Sequence, residues 1–144
     1  MSERDDFLAD VIPRQVAAEK AIHDGDVAPR LAMWSRSDPV TLFGAFGPNN
    51  SGWDEVSRTF LWVASRFSNC TAYSLDLVAA GVSGDLAYTV GYERSAASSE
   101  GGPVTPNTLR VTHVYRRENG EWKIVHRHGD YPPIDQSPPP TEHA

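Results

Sequence analysis

The chain has 144 residues, which is typical of one domain with a genuine hydrophobic core, and its formal net charge is −6. This acidic balance argues against nonspecific nucleic-acid binding, which needs clustered lysine and arginine, and no apolar run is long enough to cross a bilayer. Cys70 is the only cysteine, which excludes an internal disulfide and fits the cytoplasmic location that we predict.

The first quarter of the chain predicts helices. Residues 1–11 are expected to form a loose N-terminal arm or a short helical lead-in. An Ala-rich helix should run from about Pro13, which suits a first turn, to Asp24, with Gly25 as its stop. Asp26 can cap a second short helix.

A short strand and a third helix are expected next. Residues 39–46 indicate the strand, and residues 47–52 a loop rich in glycine and asparagine. In the helix, apolar side chains recur at helical spacing on one face and predict packing against a sheet. They are Trp53, Val56, Phe60, Val63 or Ala64, and Phe67.

The second half of the chain predicts four strands in an antiparallel meander, over about 70–80, 84–97, 106–117 and 121–131. Asn119-Gly120 lies between the last two and is a strong hairpin signal, because both residues tolerate positive φ. Helices first and strands later indicate an α+β fold. The Pro-rich residues 132–144 are expected to form an extended or disordered tail.

The last hairpin carries a family resemblance. Residues 116–128, with their Glu-Asn-Gly-Glu-Trp turn and closing His-Arg-His, resemble the closing strands of SnoaL-like domains in the NTF2-like superfamily. Segments 39–45, 52–56 and 86–92 occur in the order usual for that family. The resemblance covers about residues 12–131, which we take as the domain. It implies an NTF2-like (cystatin-like) cone, in which N-terminal helices pack on a strongly bent, mostly antiparallel sheet.

The resemblance leaves the activity open, because the superfamily includes enzymes, binding modules and assembly domains. Its members include ketosteroid isomerase, scytalone dehydratase, limonene epoxide hydrolase and the association domain of calmodulin-dependent kinase II. The sites of these enzymes cannot be carried over to this sequence by motif. Asp38 is the nearest counterpart, by order, of the isomerase base, but it precedes a proline and fits a turn or cap equally well.

His113 is the first candidate for chemistry. Alternation along its strand places it on one face with Leu109, Val111 and Tyr115. It is therefore either a buried histidine hydrogen-bonded to a neighbour or a pocket acid or base, since imidazole titrates close to neutral pH.

His126, His128 and Asp130 form the second group, and alternation predicts that they share a face with Trp122 and Ile124. Two imidazoles and a carboxylate could bind a divalent metal, but this spacing is common and we predict no metal site. The alternative is that Asp130 orients an imidazole.

Glu93 is the third candidate, because small residues share its face of the strand and leave room for a cavity; these are Ala87, Thr89 and Gly91. A desolvated Glu93 there could act as an acid. The alternative is that Glu93 pairs with Arg94, Arg110 or Arg116 on a solvated sheet edge.

Flat apolar walls and a cation would complete a pocket. Trp34 and Trp53 either flank its mouth or belong to the core. Arg110 or Arg127 could stabilise an anion or enolate. Alternation along the strands places Arg110 and His113 on opposite faces of the sheet, and likewise Arg127 and His128. At most one member of each pair can therefore line the cavity.

We therefore expect a small-molecule pocket with His113, Glu93 and Asp130 as catalytic residues and no cofactor. Substrate-binding residues would be Trp34, Trp53, Arg110 and His128. A noncatalytic ligand-binding module and an oligomer-assembly domain are the alternatives. A homodimer through the outer sheet face is expected, with aromatic contacts from Tyr88, Tyr92 and Tyr115 if they point outward.

Overall fold

Three helices pack on one face of a six-stranded sheet in a computed structural model that describes residues 2–133. The helices are α1 (Glu3–Ile22), α2 (Ala28–Met33) and α3 (Trp53–Arg66). The strands are β1 (Thr41–Phe43), β2 (Asn49–Ser51), β3 (Phe67–Ser83), β4 (Leu86–Ser99), β5 (Val104–Glu118) and β6 (Glu121–Asp130). The predicted tail, residues 132–144, lies outside the described residues from residue 134 onward. No helix within residues 2–133 is both long and apolar enough to span a membrane.

The sheet order is β2-β1-β6-β5-β4-β3, and the predicted meander from β3 to β6 is antiparallel. Among the strand pairs formed by residues 2–133, only β1–β6 is parallel. Register shifts within β3 mark irregularities at which the ladder is interrupted. The α+β cone expected from the sequence is therefore confirmed.

The first helix begins about ten residues earlier than predicted. The Ser2 hydroxyl caps it by accepting a hydrogen bond from the Asp5 N–H at 3.1 Å. Phe7 and Val11 are fully buried, so that packing holds the first turns and the helix passes through Pro13. Of the two expectations for residues 1–11, the helical one is correct and the loose arm is wrong. Gly25, with φ of +88°, follows the end of the helix as predicted.

Three other expectations about local structure differ in outcome. The predicted loop 47–52 contains the short strand β2, which pairs with β1. The Asn119-Gly120 turn is confirmed, since both residues have positive φ, +51° and +77°. The apolar stripe of α3 is buried in the core at Val56, Phe60, Val63 and Ala64.

The core lies between the helices and the inner face of the sheet. The Phe7 ring meets Tyr115 and Trp122 edge-on, with both centroid distances at 5.1 Å. Trp34 is 2% exposed and packs against Phe60. Tyr115, for which an outward position was considered, is therefore a core residue.

An extra residue in β6 changes which side chains face inward. Tyr115 pairs with Ile124 whereas Val114 pairs with His126, so that Val125 is a β-bulge. Trp122 and Ile124 are buried before the bulge, and Arg127 and Gly129 are buried after it. The prediction that His126, His128 and Asp130 share the face of Trp122 and Ile124 is therefore wrong.

Candidate functional site

The inner face of the sheet brings together three titratable side chains from three adjacent strands. Glu93 lies on β4, His113 on β5 and Arg127 on β6, and His113 is directly opposite Arg127 in the ladder. All three are buried, at 3%, 1% and 5% exposure. Alternation within β4 and β5 predicted the inward positions of Glu93 and His113 correctly.

Arg127 binds both of its neighbours on the sheet. Its Nη1 and Nη2 donate to the two carboxylate oxygens of Glu93 at 3.0 and 2.8 Å. Nη1 also donates to Nε2 of His113 at 3.2 Å. This bidentate pairing excludes the alternative in which Glu93 lies on a solvated edge beside Arg94, Arg110 or Arg116.

The helices add a second buried ion pair to the first. Glu19 of α1 accepts hydrogen bonds from Nε and Nη2 of Arg30 on α2, and Nη1 of Arg127 lies 3.4 Å from the same carboxylate. Two carboxylates and two guanidinium groups therefore form one continuous, charge-balanced cluster, which we call the ionic cluster (Glu19, Arg30, Glu93 and Arg127). It joins α1 and α2 to two strands of the sheet, β4 and β6.

The ionic cluster keeps Glu19 and Arg127 in their charged states. Burial alone would raise the pKa of Glu19, but the charges of Arg30 and Arg127 outweigh it and lower the pKa to about 2. Burial alone would lower the pKa of Arg127, but Glu93 and Glu19 raise it above its ordinary value. Buried charges persist here because each faces an opposite charge at hydrogen-bonding distance.

His113 is neutral in this environment. Burial, followed by the positive charge of Arg127, lowers the pKa of His113 well below 6.5. A guanidinium group can only donate, so Nε2 of His113 must be the accepting nitrogen and its proton lies on Nδ1. No residue among 2–133 accepts a hydrogen bond from the buried Nδ1.

Tyr73 of β3 adds a second buried donor near the ionic cluster. Its hydroxyl has no hydrogen-bond partner within the described part of the chain. Burial and the carboxylates of Glu93 and Glu19 raise the pKa of Tyr73 above its ordinary value, so that it keeps its proton. Its ring lies 6.2 Å from that of His23, between centroids.

A small cavity leads from the open end of the cone to the two arginines. Its volume is about 40 Å³ and its walls include Leu42, Val63 and Leu109, with Arg30 and Arg127 as its polar floor. A wider outer cavity of about 140 Å³ includes Tyr131 in its lining. Both cavities are lined by His23, Phe46, Phe67 and Asn107.

The other candidate residues lie elsewhere. Arg110, His128 and Asp130 are on the outer face, where Nε of Arg110 donates to Asp130 at 2.7 Å. That hydrogen bond lowers the pKa of Asp130. Asp130 therefore does not orient His113, and Arg110 does not face the cavity. Of the two arginines weighed, Arg127 is the inner one.

The two tryptophans also occupy different environments. Trp34 belongs to the core and is absent from the linings of the cavities. Trp53 is half-buried, with the Arg36 guanidinium 5.4 Å from the centre of its ring. Neither tryptophan flanks the mouth of the cavity; Phe46 and Phe67 occupy that position instead.

Sequence reasoning missed Glu19, Arg30 and Tyr73. A signal for Glu19 was present, since it falls at helical spacing with buried Val11, Ala18 and Ile22 on α1. A carboxylate in an apolar stripe indicates a buried partner. No comparable pattern distinguishes Arg30 in its six-residue helix.

No group of three or more potential metal-binding side chains occurs within residues 2–133. His126 and His128 instead flank the half-exposed ring of Phe43, at 5.4 and 5.7 Å between centroids. His126 also hydrogen-bonds through Nδ1 with the Thr41 hydroxyl at 2.7 Å. These contacts tie β6 to β1.

Comparisons with known proteins agree with the architecture. A family model for the SnoaL-like domain matches residues 16–134. No curated protein sequence matches significantly. A proposed dehydratase of the NTF2-like family from Streptomyces avermitilis superposes with a TM-score of 0.68 at 23% identity, covering 90% of this chain and 99% of that one.

Two further solved structures show the same fold. An NTF2-like superfamily protein from Salmonella enterica gives a TM-score of 0.64 at 19% identity, over 86% of this chain and 96% of its own. The association domain of CaMKII from C. elegans gives 0.63 at 14% identity, over 88% and 97%. At these identities the likeness concerns the fold alone.

Proposed function

Because the chain belongs to the SnoaL-like domain family, we propose that the open end of its cone binds a small organic compound carrying a carbonyl or carboxylate group. One observation carries the proposal: the inner cavity has apolar walls and ends on two guanidinium groups. Such a site favours a ligand with a hydrocarbon part and one acceptor group.

The floor of the cavity supplies the donors. Within residues 2–133, Arg30 uses Nε and Nη2 for Glu19, and Arg127 uses Nη1 and Nη2 for Glu93 and His113. Nη1 of Arg30 and Nε of Arg127 are left for a ligand. Hydrogen bonds from a charged donor are about twice as strong as those between neutral groups.

The size of the cavities limits the ligand. Ligand pockets commonly measure about 300–1,000 Å³, whereas the inner and outer cavities measure about 40 and 140 Å³. The favoured compound therefore has few heavy atoms, as in a short carboxylate or a small cyclic ketone. Its polar group would lie at the floor and its hydrocarbon part between Phe46 and Phe67.

The geometry favours binding over general acid–base turnover. A general base needs a free lone pair directed at the substrate. Nε2 of His113 and both carboxylate oxygens of Glu93 already accept hydrogen bonds from Arg127, and Asp130 lies on the outer face. None of the three residues predicted as catalytic offers an unengaged basic atom to the cavity.

Ligand-observed NMR tests this proposal with butyrate, benzoate and cyclohexanone as probes, and with 1-butanol and cyclohexanol as matched compounds in which a hydroxyl group replaces the carboxylate or carbonyl group. We expect saturation transfer to the first three compounds and much less to the alcohols. Val63→Phe should abolish the transfer, because it fills the apolar wall while leaving both arginines in place.

The matched control is Val104→Phe, the same change at a position that is 43% exposed and outside both cavities. It should bind the probes as the unmodified chain does. Absence of saturation transfer from all probes, or undiminished transfer in a folded Val63→Phe variant, would contradict the proposal.

We also propose a homodimer formed through the outer sheet face. Val78, Leu86 and Tyr88 are 63%, 54% and 44% exposed there, and Leu86 and Tyr88 line an open apolar depression with Val114. Exposed apolar patches of this kind mark interaction sites. The likeness to an association domain is in line with assembly through this fold.

Light scattering coupled to size-exclusion chromatography tests the dimer. Tyr88→Glu should convert a dimer into a monomer, because it introduces charge into the patch. Leu61→Glu introduces the same charge at an exposed leucine of α3, on the opposite layer, and should leave the dimer intact. A monomeric unmodified chain would contradict the dimer and leave the ligand proposal untouched.

A further inference from the structure

His23 presents a basic nitrogen to both cavities. It follows the end of α1 and is only 7% exposed. Its Nδ1 lies 2.7 Å from the backbone carbonyl oxygen of Glu19. A carbonyl oxygen only accepts hydrogen bonds, so Nδ1 carries a proton and the neutral imidazole has its lone pair on Nε2. The end of the helix therefore fixes which nitrogen of His23 can accept a hydrogen bond.

Nε2 of His23 has no hydrogen-bond partner within residues 2–133. The hydroxyl group of Tyr73, whose ring is close by, is also without a partner, so the two groups do not bind each other. In the described part of the chain, the unpartnered side-chain atoms that are sealed from solvent belong to Arg66, Tyr73 and His113. Nε2 of His23 is not one of them. It is therefore reached through the cavities, both of which His23 lines.

The lone pair of His23 makes a demand that the other polar groups nearby do not make. Among residues 2–133, the lining shared by the two cavities has two polar side chains, His23 and Asn107. Asn107 lies on β5 opposite Ser95, which lines the outer cavity. Amide and hydroxyl groups both donate and accept, so they adapt to either kind of ligand group. The free side of neutral His23 only accepts, and it therefore selects a donor.

We infer that the compound bound at this site carries a hydroxyl group in addition to its carbonyl or carboxylate group, and that this hydroxyl donates to Nε2 of His23. The inference rests on the proposed function, which places the acceptor group on Arg30 and Arg127. The hydrocarbon part between Phe46 and Phe67 joins the two polar ends. The ring of Phe67 lies 5.0 Å from that of His23, between centroids. Hydroxy acids and hydroxy ketones are thus the favoured class of ligand.

The selection comes from the hydrogen bond that Nε2 would otherwise lose. A ligand without a donor displaces water from Nε2 of His23 and leaves the nitrogen unpaired, which is unfavourable. A hydroxyl group at the same place restores the hydrogen bond. The net contribution of one such bond corresponds to a gain of roughly three- to tenfold in affinity.

Saturation-transfer titrations at pH 8 test the inference with meta- and para-hydroxybenzoate. The matched compounds are meta- and para-fluorobenzoate, in which fluorine occupies a similar volume but has no proton to donate. At least one hydroxybenzoate should bind roughly fivefold more tightly than its fluorinated counterpart. His23→Phe should remove this preference and still bind benzoate. The preference is a ratio within one protein, so a change in the stability of the variant does not affect it.

His126→Phe is the matched control, because it makes the same replacement at a histidine outside both cavities. It should keep the preference for the hydroxybenzoate. A preference that survives in a folded His23→Phe variant overturns the inference. So does equal binding of hydroxy- and fluorobenzoates by the unmodified chain, and this result leaves the proposed function standing if benzoate binds. Absence of binding by every probe overturns both.

Long-range ¹H–¹⁵N spectra of the unmodified chain give a second test that does not depend on the folding of His23→Phe. Nε2 of His23 should be unprotonated at pH 8 in the free protein. Its signal should move further on addition of the preferred hydroxybenzoate than on addition of the matched fluorobenzoate. A protonated Nε2 in the free protein, or equal movement with both compounds, overturns the inference.

Discussion

Nη1 of Arg127 lies 3.2 Å from Nε2 of His113, and this contact has a fixed direction because guanidinium only donates. His113 therefore accepts from Arg127 through Nε2 and carries its proton on Nδ1. The same Nη1 also binds Glu93 and approaches Glu19. One arginine on β6 thus contacts three other titratable side chains.

Replacing Arg127 by leucine should destabilise the fold strongly. It leaves the carboxylate of Glu93 buried without its partner, which costs about 3–5 kcal/mol in the free energy of unfolding. Urea denaturation followed by circular dichroism measures the loss. Adding Glu93→Leu to Arg127→Leu should recover much of the loss, because the unpaired charge is then removed.

Arg110→Leu is the control, since it removes an arginine–carboxylate pair of similar geometry from the outer face. It should change the stability little, because water solvates both charges of this pair. Equal losses in Arg110→Leu and Arg127→Leu would contradict a special role for the ionic cluster.

The contrast between these two arginines shows what the sequence could and could not reveal. Alternation holds along β4 and β5, so the inward positions of Glu93 and His113 were predictable. In β6 the bulge at Val125 shifts the alternation by one residue, and no glycine or proline marks that position. Arg127 therefore lies on the inner face of the sheet, where unbroken alternation would have placed His128 and Asp130.

The contact between Glu19 and Arg30 could not be predicted from sequence patterns, for a different reason. Arg30 and Glu19 are eleven residues apart, and their contact depends on how α2 folds back on α1. Periodicity identifies the buried face of one element but not its contacts with another. The Asn119-Gly120 turn was predictable because it depends on local backbone preferences and not on contacts between elements.

Stability should fall steeply in acid because of Glu19. Its pKa is 4.5 in the reference state and about 2 in the fold, so the folded state binds fewer protons. The contribution, on the order of 3 kcal/mol, is fully present above the reference pKa of 4.5 and is lost as the pH falls toward 2.

Urea unfolding at a series of pH values from 7 to 2 measures this dependence. Glu19→Gln should be less stable at pH 7 and should lose less stability below pH 4.5, because the titrating group is gone. An identical acid slope in both proteins would exclude Glu19 as the source.

His113 should remain neutral with its proton on Nδ1 at mildly acidic pH. Burial and Arg127 lower its pKa well below 6.5, so its contribution to stability is present above pH 6.5 and declines as the pH falls further. Long-range ¹H–¹⁵N spectra of the imidazoles report both the charge and the tautomer. The His113 signals should stay constant from pH 8 to pH 5.5, and a protonated Nε2 in that range would contradict the hydrogen bond with Arg127.

Gly120→Ala should weaken the β5–β6 hairpin that carries His113 and Arg127. Gly120 has φ of +77°, a conformation that costs an L-residue about 1–2 kcal/mol. Gly129→Ala is the matched control in the same hairpin, because the nearest atom to an added Cβ is 3.6 Å away and no positive φ is required there. Thermal unfolding should therefore show a lower Tm for Gly120→Ala than for Gly129→Ala. The reverse order would mean that contact with Arg127, rather than the turn, limits this hairpin.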